Sequence, residues 1–407
     1  MSFNTALSGL RAANTDLAVT GNNIANASTT GFKESRAEFG DVYANSILGT
    51  GSRTPGSGVL VNSVAQQFGQ GNVSITNNSL DLAVNGQGFF ILSDQGSPLY
   101  SRAGNLQLDN QGFIVNSQSA RLQGFAASPS GQILTGALTD LRIQTSDIAP
   151  SATTEVNLRF NVDSGNTIPA VAFDPNDPSS YNWSTAATIY DSLGNPHVLT
   201  SYYRLETSGA TGNDWRVYTD LDSSGTANNL GLISFDTGGA LTAPAPAVLN
   251  DSWTPTGGAA ALNFTIDLTG STQFGTDSTV NSLDQDGYAP GRLSGINIDD
   301  TGVIFARYTN GQALTLGQVA LANFANPQGL APVGNTAWAE SFDSGQPVVG
   351  APQSGSRGSI QAGALEDSNV DLSAQLVNLI LAQRNYQANA KTIETNNATT
   401  QTIINLR

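Results

Sequence analysis

VDLSAQLVNLILAQRNYQANAKTIETNNATTQTIINL, residues 370–406, is the stretch on which the reading of this chain turns. From Leu372, alternating steps of four and three land on Leu376, Leu379, Gln383, Tyr386, Ala390, Ile393, Asn397, Thr400 and Ile404. That is a heptad seam with no Gly or Pro inside it, the pattern of a long amphipathic helix. The residues between the seam positions are mostly Asn, Gln, Thr and Ala, so one stripe is apolar and the rest polar but weakly charged. A helix over 371–405, with Asn369 or Asp371 as its N-terminal cap, would be about 50 Å long at 1.5 Å per residue. No such helix is stable alone in water, so its stripe requires a cover.

A cover of the same grammar stands at the other end of the chain. Phe3, Leu7, Leu10, Asn14, Leu17, Gly21 and Ile24 also follow steps of four and three, and the run gives way to Asn22-Asn23 and Gly31. Amphipathic helices more commonly pack on their own globular core. Here both extreme termini read as helix and everything between them reads as strand, which favours a pairing of the two ends.

Composition narrows the classes. The 407 residues carry 32 Asp and Glu against 16 Lys and Arg, a net charge of -16, and only 12% of the chain is charged. An acidic chain is a poor partner for nucleic acid or an anionic membrane surface. A surface of Asn, Gln, Ser, Thr and Gly is soluble without strong mutual repulsion, as subunits lying side by side in a polymer require. The absence of cysteine rules out disulfides and thiolate metal sites. The N-terminus has no basic segment followed by an apolar run, so no Sec signal peptide is expected, and no run reaches membrane-spanning length.

Inward from the helices, residues 31–70 and 345–369 are rich in Gly, Ser and Pro and read as linkers. Residues 71–145 and 285–344 share one β grammar. Leu106-Gln107-Leu108-Asp109-Asn110-Gln111-Gly112-Phe113-Ile114-Val115 is a hairpin with its turn at Asp109 to Gly112. The same order of residue types returns in Ile296-Asn297-Ile298-Asp299-Asp300-Thr301-Gly302-Val303-Ile304-Phe305. Both runs are therefore assigned to one β domain, into which 146–284 is inserted as a second, outer β domain. The insert carries Trp183, Trp215 and Trp253 and the Pro-rich loops at 173–178 and 243–248, and its short strands suggest a small barrel or sandwich. Residues 1–30 and 370–407 complete the nest as a terminal helical domain. The fold class is thus nested, mainly β globular domains between coiled-coil-like α-helical ends.

Chemistry finds little foothold. The single histidine, His197, follows a turn at Asp191 to Asn195, and no nucleophile elbow accompanies it. Asp220-Leu221-Asp222-Ser223-Ser224-Gly225 begins like a calcium loop, but position twelve is Gly231 where a bidentate Glu is needed. Asn85-Gly86-Gln87-Gly88 has no Lys and no following helix, so it is not a phosphate loop. No catalytic residue, cofactor-binding residue or metal ligand is assigned, and no enzyme activity is expected. The rival of another class is a secreted β-rich enzyme or adhesin, which would fold as a monomer with satisfied termini.

Several of these stretches together resemble the flagellar axial protein family of bacteria, and within it the hook proteins. Ala6-Leu7-Ser8-Gly9-Leu10, Asn22-Asn23-Ile24-Ala25-Asn26 and Thr30-Gly31-Phe32-Lys33 are similar to the family's N-terminal signature. Ser368-Asn369-Val370-Asp371-Leu372-Ser373 and Ala382-Gln383-Arg384-Asn385-Tyr386-Gln387 resemble its C-terminal one. Val84 to Phe90 and Arg102-Ala103-Gly104-Asn105 match segments shared by rod and hook proteins, and 173–197 resembles hook rather than rod. The resemblance implies a homopolymer: a curved, flexible tube that joins rod to filament and passes motor torque round a bend. It implies export through the flagellar type III machinery and an extracellular place in the hook of the basal body. Neighbours would be the hook cap, the distal rod and the hook–filament junction proteins, with a distal-rod or other axial protein as the near alternative. On this reading the polymerisation helices contribute Phe3, Leu7, Leu10, Leu17, Ile24, Leu372, Leu376, Leu379, Tyr386, Ile393 and Ile404.

Overall fold

The computed structural model describes residues 2–42, 56–129, 131–144, 146–210, 212–255 and 257–405. Two helices, α1 (Ser2–Ala25) and α2 (Leu372–Asn405), bracket a succession of strands. The chain divides into two compact units. The first is Met1–Thr145 with Gly295–Arg307 and Ala313–Arg407, and the second is Ser146–Ser294 with Tyr308–Gln312.

In the first unit the main sheet runs, in spatial order, Leu293–Ile298, Val303–Tyr308, Ala313–Val319, Arg121–Ala126, Phe89–Asp94, Ser97–Ser101, Ala337–Ala339 and Ala331–Gly334. Both look-alike runs belong to this one sheet, and their turns share one chemistry. Asp109 Oδ1 accepts from the N–H groups of Gln111 and Phe113, both at 2.8 Å. Asp299 Oδ1 accepts from those of Thr301 at 3.0 Å and Val303 at 2.8 Å. In each case the glycine that follows, Gly112 or Gly302, takes the positive φ that closes the turn. Phe89, Tyr100, Phe125, Phe324 and Trp338 form the aromatic centre of this unit's core.

The second unit is a sandwich. One sheet contains Val248–Trp253, Leu262–Asp267, Glu155–Asp163, Thr272–Phe274 and Thr279–Gln285. The other contains Trp183–Tyr190, Pro196–Gly209, Gly212–Leu221, Asn228–Phe235 and Leu241–Ala243. Val156, Leu158, Phe160 and Val162 alternate inward from the first sheet and meet Leu199, Tyr203, Leu205, Trp215 and Ile233 from the second. The ring of Phe160 lies 4.6 Å from that of Tyr203. The unit continues ten residues beyond the expected boundary at 284, because the outgoing chain retraces the incoming one. Ile148 bridges Gly291, Ser151 bridges Tyr288, and the N–H groups of Thr154 and Glu155 donate to Asp286 Oδ1.

The stretches read as linkers carry paired structure. Ser35–Asp41 and Val59–Gln66 form an antiparallel hairpin, with a bulge between Glu38 and Phe39. Residues 43–55 of that expected linker lie outside the described residues. Ser359–Ala362 pairs with Leu82–Asn85, and Ala364–Glu366 with Val73–Ile75. Arg357 clasps its own loop, donating from Nε to Ala351 O at 3.2 Å and from Nη2 to Ser354 Oγ at 2.8 Å. The Gly, Ser and Pro content of 345–369 therefore serves tight turns and not slack chain.

Candidate assembly surface

The two terminal helices pack against each other, antiparallel. Asn389 of α2 lies against Gly9 of α1, so closely that a Cβ on Gly9 would stand 2.5 Å from Asn389 Oδ1. Near the other end Asn23 Nδ2 donates to Gln375 Oε1 at 3.4 Å. The two contacts are separated by the same number of residues along each helix in opposite senses, which defines the register. It sets Asp16 level with Ala382, and burial raises the pKa of the Asp16 carboxyl.

The face that closes is not the leucine seam. Along α1 the stripe through Gly9 and Asn23 is Ala6, Gly9, Ala13, Asp16, Thr20 and Asn23, one residue before each expected position from Leu7 to Ile24. Ala6, Ala13, Thr20 and Asn23 are buried, whereas Leu7, Leu10, Leu17 and Ile24 are half-buried and Phe3 is exposed. On α2, Gln375 is 3% exposed and Ala382 0%, while Leu376 is 46% and Ile380 50% exposed. Leu372, Val377, Leu381, Tyr386 and Ile404 are exposed as well; Leu379 and Ile393 are half-buried. The expectation that one leucine seam covers the other is thus corrected. Alanine, glycine and amide side chains let the backbones approach closely. Each larger side chain is turned aside, because it would hold the helices apart.

The base of this pair is tied to the first unit by polar groups. Asp371 caps α2, its Oδ1 accepting from the N–H groups of Ser373 at 2.8 Å and Ala374 at 3.2 Å. Asn369, the other candidate cap, instead accepts from Glu34 N at 2.7 Å and donates to Gln67 O at 2.8 Å. Asn23 spans the chain after α1, accepting from Ser35 N at 2.9 Å and donating to Ser35 O at 2.7 Å. Gln375 adds a bond to Glu34 Oε1 at 2.7 Å.

Beneath them lies an ionic cluster that sequence reasoning did not find. Glu366 receives Lys33 Nζ at 2.6 Å on one carboxylate oxygen and Arg102 Nη1 at 3.1 Å on the other. All three side chains are buried. Lys33 also donates to Gly69 O at 2.8 Å, Gly71 N donates to Glu366 Oε1 at 2.9 Å, and Arg102 Nη2 donates to Gly86 O at 2.8 Å. Burial depresses the pKa of Lys33, with Arg102 adding to the effect and Glu366 opposing it. Burial likewise depresses Arg102 against the pull of Glu366. One carboxylate thus joins chain segments that are remote in sequence at the point from which both helices leave. The faint signal in the sequence was Lys33 itself, one of two lysines in the chain.

In the second unit His197 is held between carboxylates, Nδ1 at 2.6 Å from Asp222 Oδ2 and Nε2 at 3.3 Å from Asp191 Oδ2. Asp191 meanwhile accepts from Leu193 N and Asn195 N at 2.8 Å, so the arrangement ties two turns together. Asp220 accepts from Ser224 N at 3.0 Å within its own turn. Among the described residues no group of His, Cys, Asp and Glu is placed to hold a metal ion, and no helix is long and apolar enough to cross a membrane.

Comparison with known proteins places these features in order along the chain. A family model described as flagellar basal body rod protein matches residues 3–33, and one described as flagellar basal body rod FlgEFG protein C-terminal matches 361–406. Between them, flagellar hook protein FlgE/F/G D1 domain matches 83–159 and flagellar basal body protein FlaE D2 domain matches 157–288. The chain is 38% identical over 414 residues to the flagellar hook protein FlgE of Escherichia coli, with 100% of each covered. It is 33% identical to that of Borreliella burgdorferi, covering 100% of this chain and 99% of the relative. The crystal structure of Helicobacter pylori flagellar hook protein FlgE2 matches in fold with a TM-score of 0.56 at 16% identity, covering 72% of this chain and 100% of that one.

Proposed function

The chain belongs to the family of bacterial flagellar hook proteins, and on that premise we propose that the leucine stripes left only partly covered on its paired terminal helices are the surfaces through which copies assemble into a tube. It is a structural subunit of the flagellar hook. The observation that carries the assembly reading is the offset between the two faces. The small and polar face is used up inside the subunit, and Leu372, Leu376 and Ile380 stand one helical turn apart in water.

Fully burying a leucine side chain stabilises by about 1.5–3 kcal/mol, so the seam residues of neighbouring copies together offset much of the ordering entropy of the helices. The contact joins different surfaces of successive copies and so propagates as an open helix. Phe3, Leu7, Leu10, Leu17, Ile24, Leu379, Tyr386, Ile393 and Ile404 extend this surface along the pair. A dilute monomer frays at these helices, because their larger side chains have no complete partner. The tube is curved and flexible and transmits torque between rod and filament. It is reached through the flagellar type III export route, with the cap, distal rod and junction proteins as its end neighbours. The role is structural and not catalytic, with His197 fastening turns.

Electron microscopy of the concentrated full chain tests this. Curved tubes are expected from the wild type. The variant Leu376→Asn/Ile380→Asn should remain monomeric while its β domains melt at the wild-type temperature. Tubes from that variant at wild-type concentrations would overturn the assembly surface, and straight wild-type tubes would favour a rod over a hook.

A further inference from the structure

Phe342 is 100% exposed. Isolated apolar side chains at a surface are ordinary, but a phenylalanine wholly in water on a fixed turn is not. Ser341 N donates to Ser344 Oγ at 2.9 Å, and Ser344 Oγ donates back to Ser341 O at 2.9 Å. Ser341 Oγ accepts from Asp343 N at 3.1 Å and Ser344 N at 3.2 Å, and donates to Gly329 O. Asn326 Nδ2 donates to Asp343 O at 3.0 Å, and Asn326 N to Ser344 O at 3.4 Å. Ser344 is completely buried, and a Cβ on Gly329 would come within 2.5 Å of the Asp343–Ser344 peptide. The backbone on both sides of Phe342 is therefore locked while its ring is left in water by the described residues.

We propose that Phe342 is an anchor that inserts into the surface of a second copy of this chain. The inference rests on the homopolymer reading and adds a contact site away from the terminal helices. A rigid, presented aromatic is the side chain that gains most from docking, because little backbone freedom is lost on binding. Val333 and Val348 are exposed in the same part of the sequence, on strands before and after the turn. Glu340 and Asp343 stand two residues before and one residue after Phe342 in the chain, so an apolar receiving surface with few acidic groups suits it. A second copy is acidic in balance, but only 12% of its residues are charged, so it has uncharged surface to receive the ring.

The test places the photoreactive residue p-benzoylphenylalanine at position 342 of the full chain and irradiates assembled tubes. A ladder of covalent oligomers is expected, with the adduct mapping to this same sequence, and dilute monomer should give none. In parallel, Phe342→Ser should melt as the wild type does, yet raise the concentration needed for assembly by on the order of tenfold or more. Phe342→Leu should recover most of the loss. Tubes that give no ladder, or a Phe342→Ser chain that assembles at the wild-type concentration, overturn the anchor and leave the tube standing. A wild-type chain that never assembles overturns both.

Discussion

The terminal helices and the inserted sandwich solve the burial problem in opposite ways. In the sandwich, Val156, Leu158, Phe160 and Val162 point inward and the polar residues between them are the wetter ones. In α2 the order is reversed: Gln375 and Ala382 are inside, while Leu372, Leu376, Val377, Ile380 and Leu381 are outside. Burying an amide is tolerable because Asn23 and Glu34 bond to Gln375. Exposing a stripe of leucines is sustainable only where another surface covers it. The sandwich is complete within one chain, whereas on the proposed assembly reading the helix pair is complete only in company.

Mutations can break or sharpen this contrast. The largest effect is expected from Phe160→Ala, which empties the centre of the sandwich. It should cost the second unit about 3–5 kcal/mol, read by the fluorescence of Trp183, Trp215 and Trp253, while the concentration needed for assembly hardly moves. Leu376→Asn/Ile380→Asn should show the reverse pattern. If Phe160→Ala prevented tubes as completely as the helix variant does, the division between a self-sufficient and a shared hydrophobic surface would fail.

Next in size is Glu366→Gln, which strands Lys33 and Arg102 in the interior without a counter-charge. Breaking one side of a buried ionic group costs about 3 kcal/mol or more. The loss should appear as faster hydrogen exchange at 31–35 and 366–371, where both helices are tied to the first unit. Unchanged protection there would mean that the amide network of Asn23, Asn369 and Gln375 alone holds the base.

These features were unequally legible in the sequence. Period-seven spacing located both helices, and Asp-x-x-Gly located both turns of the look-alike hairpins, because each depends on neighbours along the chain. Period alone could not choose the face that closes, since Ala6, Gly9, Ala13 and Thr20 recur at the same spacing as Leu7, Leu10 and Leu17. The small residues were the available clue, as side-chain size limits how near two helices come. Composition misled at 345–369, where glycine and serine make hydrogen-bonded turns. The cluster of Lys33, Arg102 and Glu366 joins positions so far apart in the chain that no local pattern marks it.

The smallest expected effect belongs to His197, and it tests whether the sandwich's polar fastenings matter beside its core. Burial opposes charging the imidazole, but hydrogen bonds and charge from Asp222 and Asp191 outweigh this and raise its pKa. Asp191 is pushed up by burial, yet the bonds from Asn195, His197 and Leu193 hold it down at about 2. The folded chain thus binds the imidazole proton more tightly than the unfolded chain, whose histidine titrates near about 6.5. The stabilisation is present in full below that pH and fades as the pH rises through the higher folded value. At the acid end the Asp191 contribution is present above the ordinary carboxylate range and is lost as the pH falls towards its own low pKa. Because Asp222 is half in water, the histidine contribution should be about 1 kcal/mol or less. The melting difference between wild type and His197→Gln should therefore be greatest near about pH 5–6 and shrink towards about pH 9. A difference that stays constant across that range would mean that His197 acts through packing, leaving the sandwich to depend on its apolar centre alone.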